Sequence, residues 1–145
     1  MVTLTHTTKS IKEKDIKRRW HLVDLKNEVL GRITSKISQY LQGKNKMDYA
    51  SYLDMGDYVV AVNAKQVKIT GKKSSQKIYT RYSGYPGGLK KTTFANLLEK
   101  KPEEVIRHAV SGMLPKNKLR DRRMARLYVY PDQNHPYKDK FNSNK

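Results

Sequence analysis

The side chains best suited to chemistry in this sequence are cations set among tyrosines. Between Tyr58 and Leu98 there is no Asp or Glu, yet Lys65, Lys68, Lys72, Lys73, Lys77, Arg81, Lys90 and Lys91 all fall there. Tyr79, Tyr82 and Tyr85 are interleaved with them, and Gly84, Gly87 and Gly88 punctuate the run. Lys and Arg hold phosphate as charges, Arg through a bidentate fork. A tyrosine ring stacks on an unpaired base, and its hydroxyl reaches phosphate or sugar. Glycines either let backbone amides approach a phosphate or supply the positive φ of a tight turn. The pattern predicts an RNA-contact surface along 72–91. A solvated lysine face is the usual fate of one charge run. Here the missing acids, the Gly-rich loop and further basic clusters favour a polyanion.

Those further clusters are Lys116, Lys118, Arg120, Arg122, Arg123 and Arg126, with Asp121 as their only acid, and a basic arm over 9–19. On a helix, positions 118, 122 and 126 share a face, which repels itself unless an anion lies against it. Overall, 31 Lys plus Arg face 13 Asp plus Glu, a formal net charge of +18. A folded chain so charged repels itself, and nucleic acid is the polyanion that relieves this by counterion release.

Catalytic patterns fail by comparison. There is no Cys, which removes disulfides and thiolate metal sites. His6, His21, His108 and His135 are too scattered for zinc spacing. Thr70-Gly71-Lys72-Lys73-Ser74 lacks the upstream Gly and the terminal Ser/Thr order of a P-loop. Asp54 and Asp57 flank Met55-Gly56 and would suit an acid/base pair or, more commonly, a turn with capping acids. No Ser or Thr has a nearby His and orienting acid. No cofactor, metal or small-molecule substrate is expected.

The elements that must position the cations follow from periodicity. Trp20 to Asp24 reads as a strand anchored by Trp20, Leu22 and Leu25. Ile33, Ile37, Tyr40 and Leu41 recur at helical spacing until Gly43. Asp57 to Asn63 is the clearest strand, an almost unbroken apolar run suited to a strand covered on both faces. Val67 and Ile69 add a short element, 77–82 is a third strand, and 83–88 is a loop. Phe94, Leu97 and Leu98 mark a helix. Pro102 opens another at the position that tolerates it, with Glu103 and Glu104 at its dipole's positive end. Its buried face is Val105, Ile106, Ala109, Val110 and Met113. A short basic helix over 119–124 and a strand over 127–130 close the set. Strands separated by helices predict an α/β layered domain with a parallel sheet. One domain suits the 145 residues. We divide them into a basic arm over 1–19, the domain over 20–130 and an irregular polar tail over 131–145. Residues 1–10 lack the apolar core of a secretory signal, and no apolar run approaches the ~20 residues of a membrane span. The expectation is a soluble intracellular protein with no membrane partner.

Four blocks together resemble the family of ribosomal protein thirteen of the large subunit, in its bacterial-type form. They are Trp20-His21-Leu22-Val23-Asp24 with Leu30-Gly31-Arg32; Gly56-Asp57-Tyr58-Val59-Val60 through Asn63-Ala64 to Thr70-Gly71; Ser83-Gly84-Tyr85-Pro86-Gly87-Gly88-Leu89-Lys90; and Val110-Ser111-Gly112-Met113-Leu114-Pro115-Lys116 through Leu127-Tyr128-Val129-Tyr130 to His135-Pro136. They keep the family's order over roughly 18–137. The resemblance implies a three-layer α/β/α fold on a four-stranded parallel sheet ordered 3-2-1-4. It also implies direct binding of large-subunit rRNA early in subunit assembly, neighbouring ribosomal proteins as further partners, and no enzyme activity. The rival readings are a free RNA-binding regulator or an RNA-processing enzyme with a basic groove. The expected ribosome is cytoplasmic, with an organellar one left open. The combined candidate RNA contacts are Arg18, Arg19, Lys44, Lys46, Lys72, Lys73, Arg81, Tyr82, Tyr85, Gly87, Gly88, Lys90, Lys91, Lys116, Lys118, Arg120, Arg122, Arg123, Arg126 and His135. The chain departs from the family at Arg120, where Gly is common, and after Pro136, where Tyr137-Lys138 replaces the usual residues.

Overall fold

The structure is a computed structural model and describes residues 11–142. The first ten residues of the basic arm lie outside it. Strand β1 (Trp20–Asp24) leads into helix α1 (Leu30–Gln42), and strand β2 (Tyr58–Val62) follows. Gly43 ends α1 at φ 79° with its N–H on the Gln39 and Tyr40 carbonyls, a left-handed cap that needs no side chain. Next come α2 (Lys73–Gln76), β3 (Ile78–Tyr82), β4 (Leu89–Thr93), α3 (Phe94–Lys100) and α4 (Pro102–Met113). The chain continues through α5 (Leu119–Met124), β5 (Leu127–Val129) and α6 (Lys138–Asn142).

Among the described residues the parallel sheet has three strands in the order β1-β2-β5, not the expected four ordered 3-2-1-4. The Val67–Ile69 element contributes only a single parallel bridge, Val29 to Lys68. The third strand of the sequence reading forms, but it leaves the sheet. It pairs antiparallel with β4, Ile78 opposite Thr93 through Tyr82 opposite Leu89. The cause is the connection. Gly88 N–H bonds the Tyr85 carbonyl at 2.9 Å, with Pro86 second in the turn and Gly87 third at φ 72°. That is the chemistry of a type II turn, which folds the chain straight back, whereas parallel pairing needs a crossover of about a dozen residues.

The two faces of the sheet are chemically distinct. Val23, Val59, Ala61, Leu127 and Val129 join Ile37, Leu41, Val105, Ile106 and Val110 in one core under α1 and α4. The alternate residues form an aromatic face. Trp20 stacks on Tyr58 at 4.5 Å and Tyr128 at 5.9 Å, and Tyr137 and Phe141 close over it at 5.1 and 6.4 Å. Among the described residues, the expected second helical layer is thus reduced to the segment ending in α6. What reads as an irregular tail therefore contains a short helix and docks by its rings. Met113, expected in the core, is 40% exposed. It borders an open cavity between α1 and α4.

Candidate nucleic-acid interface

The structure brings sequence-predicted cations together in two places, on the β3–β4 ribbon and around Asp54 and Asp57. The first group is the β3–β4 ribbon and the residues leading to it. Pairing places Arg81 directly opposite Lys90, and Thr80 opposite Lys91. All four are exposed. Like charges facing across a ribbon repel, and no acid lies within the run to relieve them. The alternate face of the ribbon carries Ile78, Tyr82 and Leu89, which are 54%, 64% and 52% exposed, and Tyr85 stands at the turn, 75% exposed. The ribbon therefore carries Arg81 and Lys90 on one face and, on the other, Lys91 beside Ile78, Tyr82 and Leu89, the pairing of charge with stacking surface that unpaired nucleotides require. Its base is anchored, with Tyr79 against Phe94 at 6.4 Å and His108 at 5.5 Å, and Lys77 Nζ 5.2 Å above the Tyr79 ring. Burial raises the Tyr79 pKa, so its hydroxyl stays neutral.

Gly87 and Gly88 are explained by the turn itself. A Cβ on Gly88 would meet Ser83 Oγ and the Tyr85 carbonyl oxygen. Lys72 and Lys73 are exposed at the start of α2, and Lys44, Lys116, Lys118 and Arg122 are exposed elsewhere. Arg120 is half-buried and donates to Ser111 Oγ, which ties α5 to α4. His135 is also half-buried, its ring 6.2 Å from Tyr130, and its Nδ1 accepts from the Tyr137 N–H.

The second group is turned inward. Arg126 grips Asp54 bidentately, Nη1 to Oδ2 at 2.6 Å and Nη2 to Oδ1 at 2.5 Å. Arg123 Nε lies 3.8 Å from Oδ1 and Arg18 Nη2 3.9 Å from Oδ2. Arg123 is 1% exposed and Arg126 7%. Neither belongs to the exposed cationic surface predicted for them. Arg126 lies past the end of α5 at Met124, so the helical spacing that aligned 122 with 126 does not reach it, and Arg123 lies in α5 but off the 118–122 face. The anion that relieves their repulsion is Asp54.

Three residues on, Asp57 is a second hub. It accepts from the Arg19 N–H at 3.1 Å, from Lys46 Nζ at 2.7 Å, and pairs with His21 Nε2 at 2.9 Å. Lys46 also donates to the Lys17 and Met55 carbonyls at 2.7 and 2.8 Å, which stitches the arm to the domain. Gly56 lies between the hubs because a Cβ there would strike the Leu41 carbonyl oxygen and sit 2.8 Å from Arg126 Nη2. Asp54 is held by arginines and Asp57 by Lys46, the His21 ring and the Arg19 N–H, so neither is poised as a base or caps a turn. The hint available in sequence was their isolation, two acids placed just before a long acid-free run.

For both carboxylates burial acts to raise the pKa. Hydrogen bonds and charges outweigh it and leave both below the ordinary value: Arg126, Arg18 and Arg123 for Asp54, and His21, Lys46 and the Arg19 N–H for Asp57. A depressed folded pKa stabilises the fold above the unfolded carboxyl value of ~3.9, and that stabilisation is lost as pH falls through the folded values. Urea midpoints are expected to stay level from about pH 7 to about pH 5 and to drop below about pH 4. Asp57→Asn is expected to flatten that drop.

Two glycines stand out because nothing in the fold requires them. Gly31 in α1 and Gly112 in α4 have ordinary helical φ, and an added Cβ would meet nothing within 4 Å. Glycine inside a helix costs roughly 0.5–1 kcal/mol relative to Ala. Both border the same cavity, with a volume of about 360 Å³. Lys73, Lys77 and His108 border it as well. Of these five, Lys73 and Lys77 fall in the RNA-contact surface predicted along 72–91, and Lys73 is among the combined candidate contacts.

The family model for Ribosomal protein L13 matches residues 18–136. The chain is 49% identical over 131 residues to the large ribosomal subunit protein uL13 of Syntrophotalea carbinolica, covering 90% of this chain and 92% of that one. It is 50% identical over 130 residues to the uL13 of Lawsonia intracellularis, covering 90% of each, and 48% identical over 125 residues to that of Nostoc sp., covering 86% and 83%. With one family model spanning nearly all of the described domain and relatives near half identity over 83–92% of their lengths, this chain belongs to the ribosomal protein L13 family.

Proposed function

We propose that this chain is a structural constituent of the large ribosomal subunit, binding large-subunit rRNA directly and supporting early subunit assembly. The observation that carries the binding mode is the exposed ribbon, where Arg81 faces Lys90 with no acid between Tyr58 and Leu98. Such a pair repels itself mildly, and an anion against it relieves that repulsion. The contacts proposed for rRNA are the exposed cations Lys72, Lys73, Arg81, Lys90, Lys91, Lys116, Lys118 and Arg122, with Tyr82 and Tyr85 offered to unpaired bases. Arg123 and Arg126 act one step back, holding the body that presents these groups. Family membership makes neighbouring large-subunit proteins the further partners, and the bacterial relatives support a cytoplasmic ribosome. An enzymatic reading would need a free acid or base, and the two acids best placed for it are held in ion pairs.

The test is sedimentation of the full-length chain with large subunits at physiological salt, together with a salt titration on rRNA. Co-sedimentation is expected, with log affinity falling linearly in log salt at a slope of roughly −0.7 to −0.9 per neutralised phosphate. Exclusion from large subunits, or a flat slope, contradicts the proposal.

A further inference from the structure

We infer that the open cavity between α1 and α4 receives one nucleotide extruded from the RNA, its base inside and its phosphate on Lys73 and Lys77. The inference rests on the rRNA-binding reading and names a contact that reading does not contain. The cavity measures about 360 Å³, within the ~300–1,000 Å³ range of small-ligand sites. Its walls include Leu30, Ile69, Phe94 and Met113, a lining on which a flat base stacks without competing for hydrogen bonds. Thr70 and His108 add polar groups able to meet a base edge. No acid borders it, and both lysines are exposed at its boundary. The charge therefore complements a phosphate, and the interior complements an apolar ring.

The glycines supply the second, independent argument. Gly31 and Gly112 face the cavity from different helices, lack positive φ, and touch nothing that a Cβ would displace. Alanine would suit both helices better. Their common effect is to keep the cavity wide. Met113, exposed despite its place on the apolar side of α4, is explained in the same way as a base-facing wall.

The experiment compares large subunits assembled with the full-length wild-type chain and with Gly112→Leu. Bases are probed with dimethyl sulfate and carbodiimide, and backbone with hydroxyl radicals. In the wild type, one unpaired base inside the protein's backbone footprint is expected to be shielded. Gly112→Leu is expected to expose that base while leaving the backbone footprint in place, with rRNA affinity down about tenfold, the loss of one stacking contact. The double variant Gly31→Ala/Gly112→Ala guards against misfolding. It is expected to melt higher than wild type and still to expose the same base in part. Identical base reactivity in wild-type and variant subunits overturns the nucleotide pocket and leaves rRNA binding standing. Absence of any wild-type backbone footprint overturns the rRNA reading itself.

Discussion

Replacing Asp54 with Ala is expected to cost about 3–5 kcal/mol of folding stability, the range for removing one partner of a buried ion pair. The magnitude comes from what remains. Arg123 and Arg126 are almost fully buried, and Asp54 is the carboxylate within ion-pair distance of both. Arg123 Nε and Nη2 and Arg126 Nε already have no hydrogen-bond partner. Loss of Asp54 would leave two guanidiniums desolvated and mutually repelling. Against a typical domain stability of ~5–15 kcal/mol, that is a large share. Urea denaturation followed by circular dichroism measures it. A change below about 1 kcal/mol would show that the cluster tolerates an uncompensated charge and that its burial is not tight. Arg126→Met, which removes a charge and keeps apolar volume, is expected to cost less than Asp54→Ala, because Asp54 retains Arg18 and Arg123.

The triple variant Arg81→Ala/Lys90→Ala/Lys91→Ala is expected to weaken rRNA binding on the order of 100-fold at ~0.1 M salt and to lower the salt slope by about 2–3. Its stability is expected to hold or rise slightly, since Arg81 and Lys90 oppose each other across the ribbon. Arg123→Met makes the contrast. It is expected to lower the urea midpoint and leave the salt slope alone, because that side chain is 1% exposed. Filter binding of rRNA across a salt series separates the two. If both variants changed the slope equally, the division between surface and interior cations would be wrong.

The parallel core was legible in sequence because burial on both faces leaves a plain mark. Tyr58 to Val62 is an apolar run, and it is the central strand between β1 and β5. Helix ends were legible for the same kind of reason, since Gly43 and Pro102 are punctuation with a stereochemical cause. Strand β4 left no mark. Leu89, Lys90 and Lys91 are exposed on both faces of the ribbon, so no alternation of polar and apolar residues records the pairing. The four-stranded parallel sheet implied by the resemblance was overdrawn because the turn at 85–88 diverts β3, itself legible as a strand, into a hairpin with β4. The candidate site was legible as composition and illegible as direction. A run of arginines carries no sign of which members face an anion outside and which face Asp54 within. That choice depends on residues 54 and 126 meeting across 72 positions of chain.

The aromatic face of the sheet gives the protein an optical readout of its own. Trp20 is the chain's one tryptophan, among ten tyrosines. Tyr58, Tyr128 and Tyr137 lie within 6 Å of it, close enough for energy absorbed by those rings to pass to the indole. Tyr58 and Tyr128 contribute from the sheet itself, so tyrosine-excited emission falls only by the Tyr137 share when the segment bearing that residue leaves the sheet. The ribbon and the cavity lie away from this cluster, so RNA bound at either should leave the signal nearly dark to its arrival. A change in tryptophan emission on binding would mean that the far face of the sheet had moved.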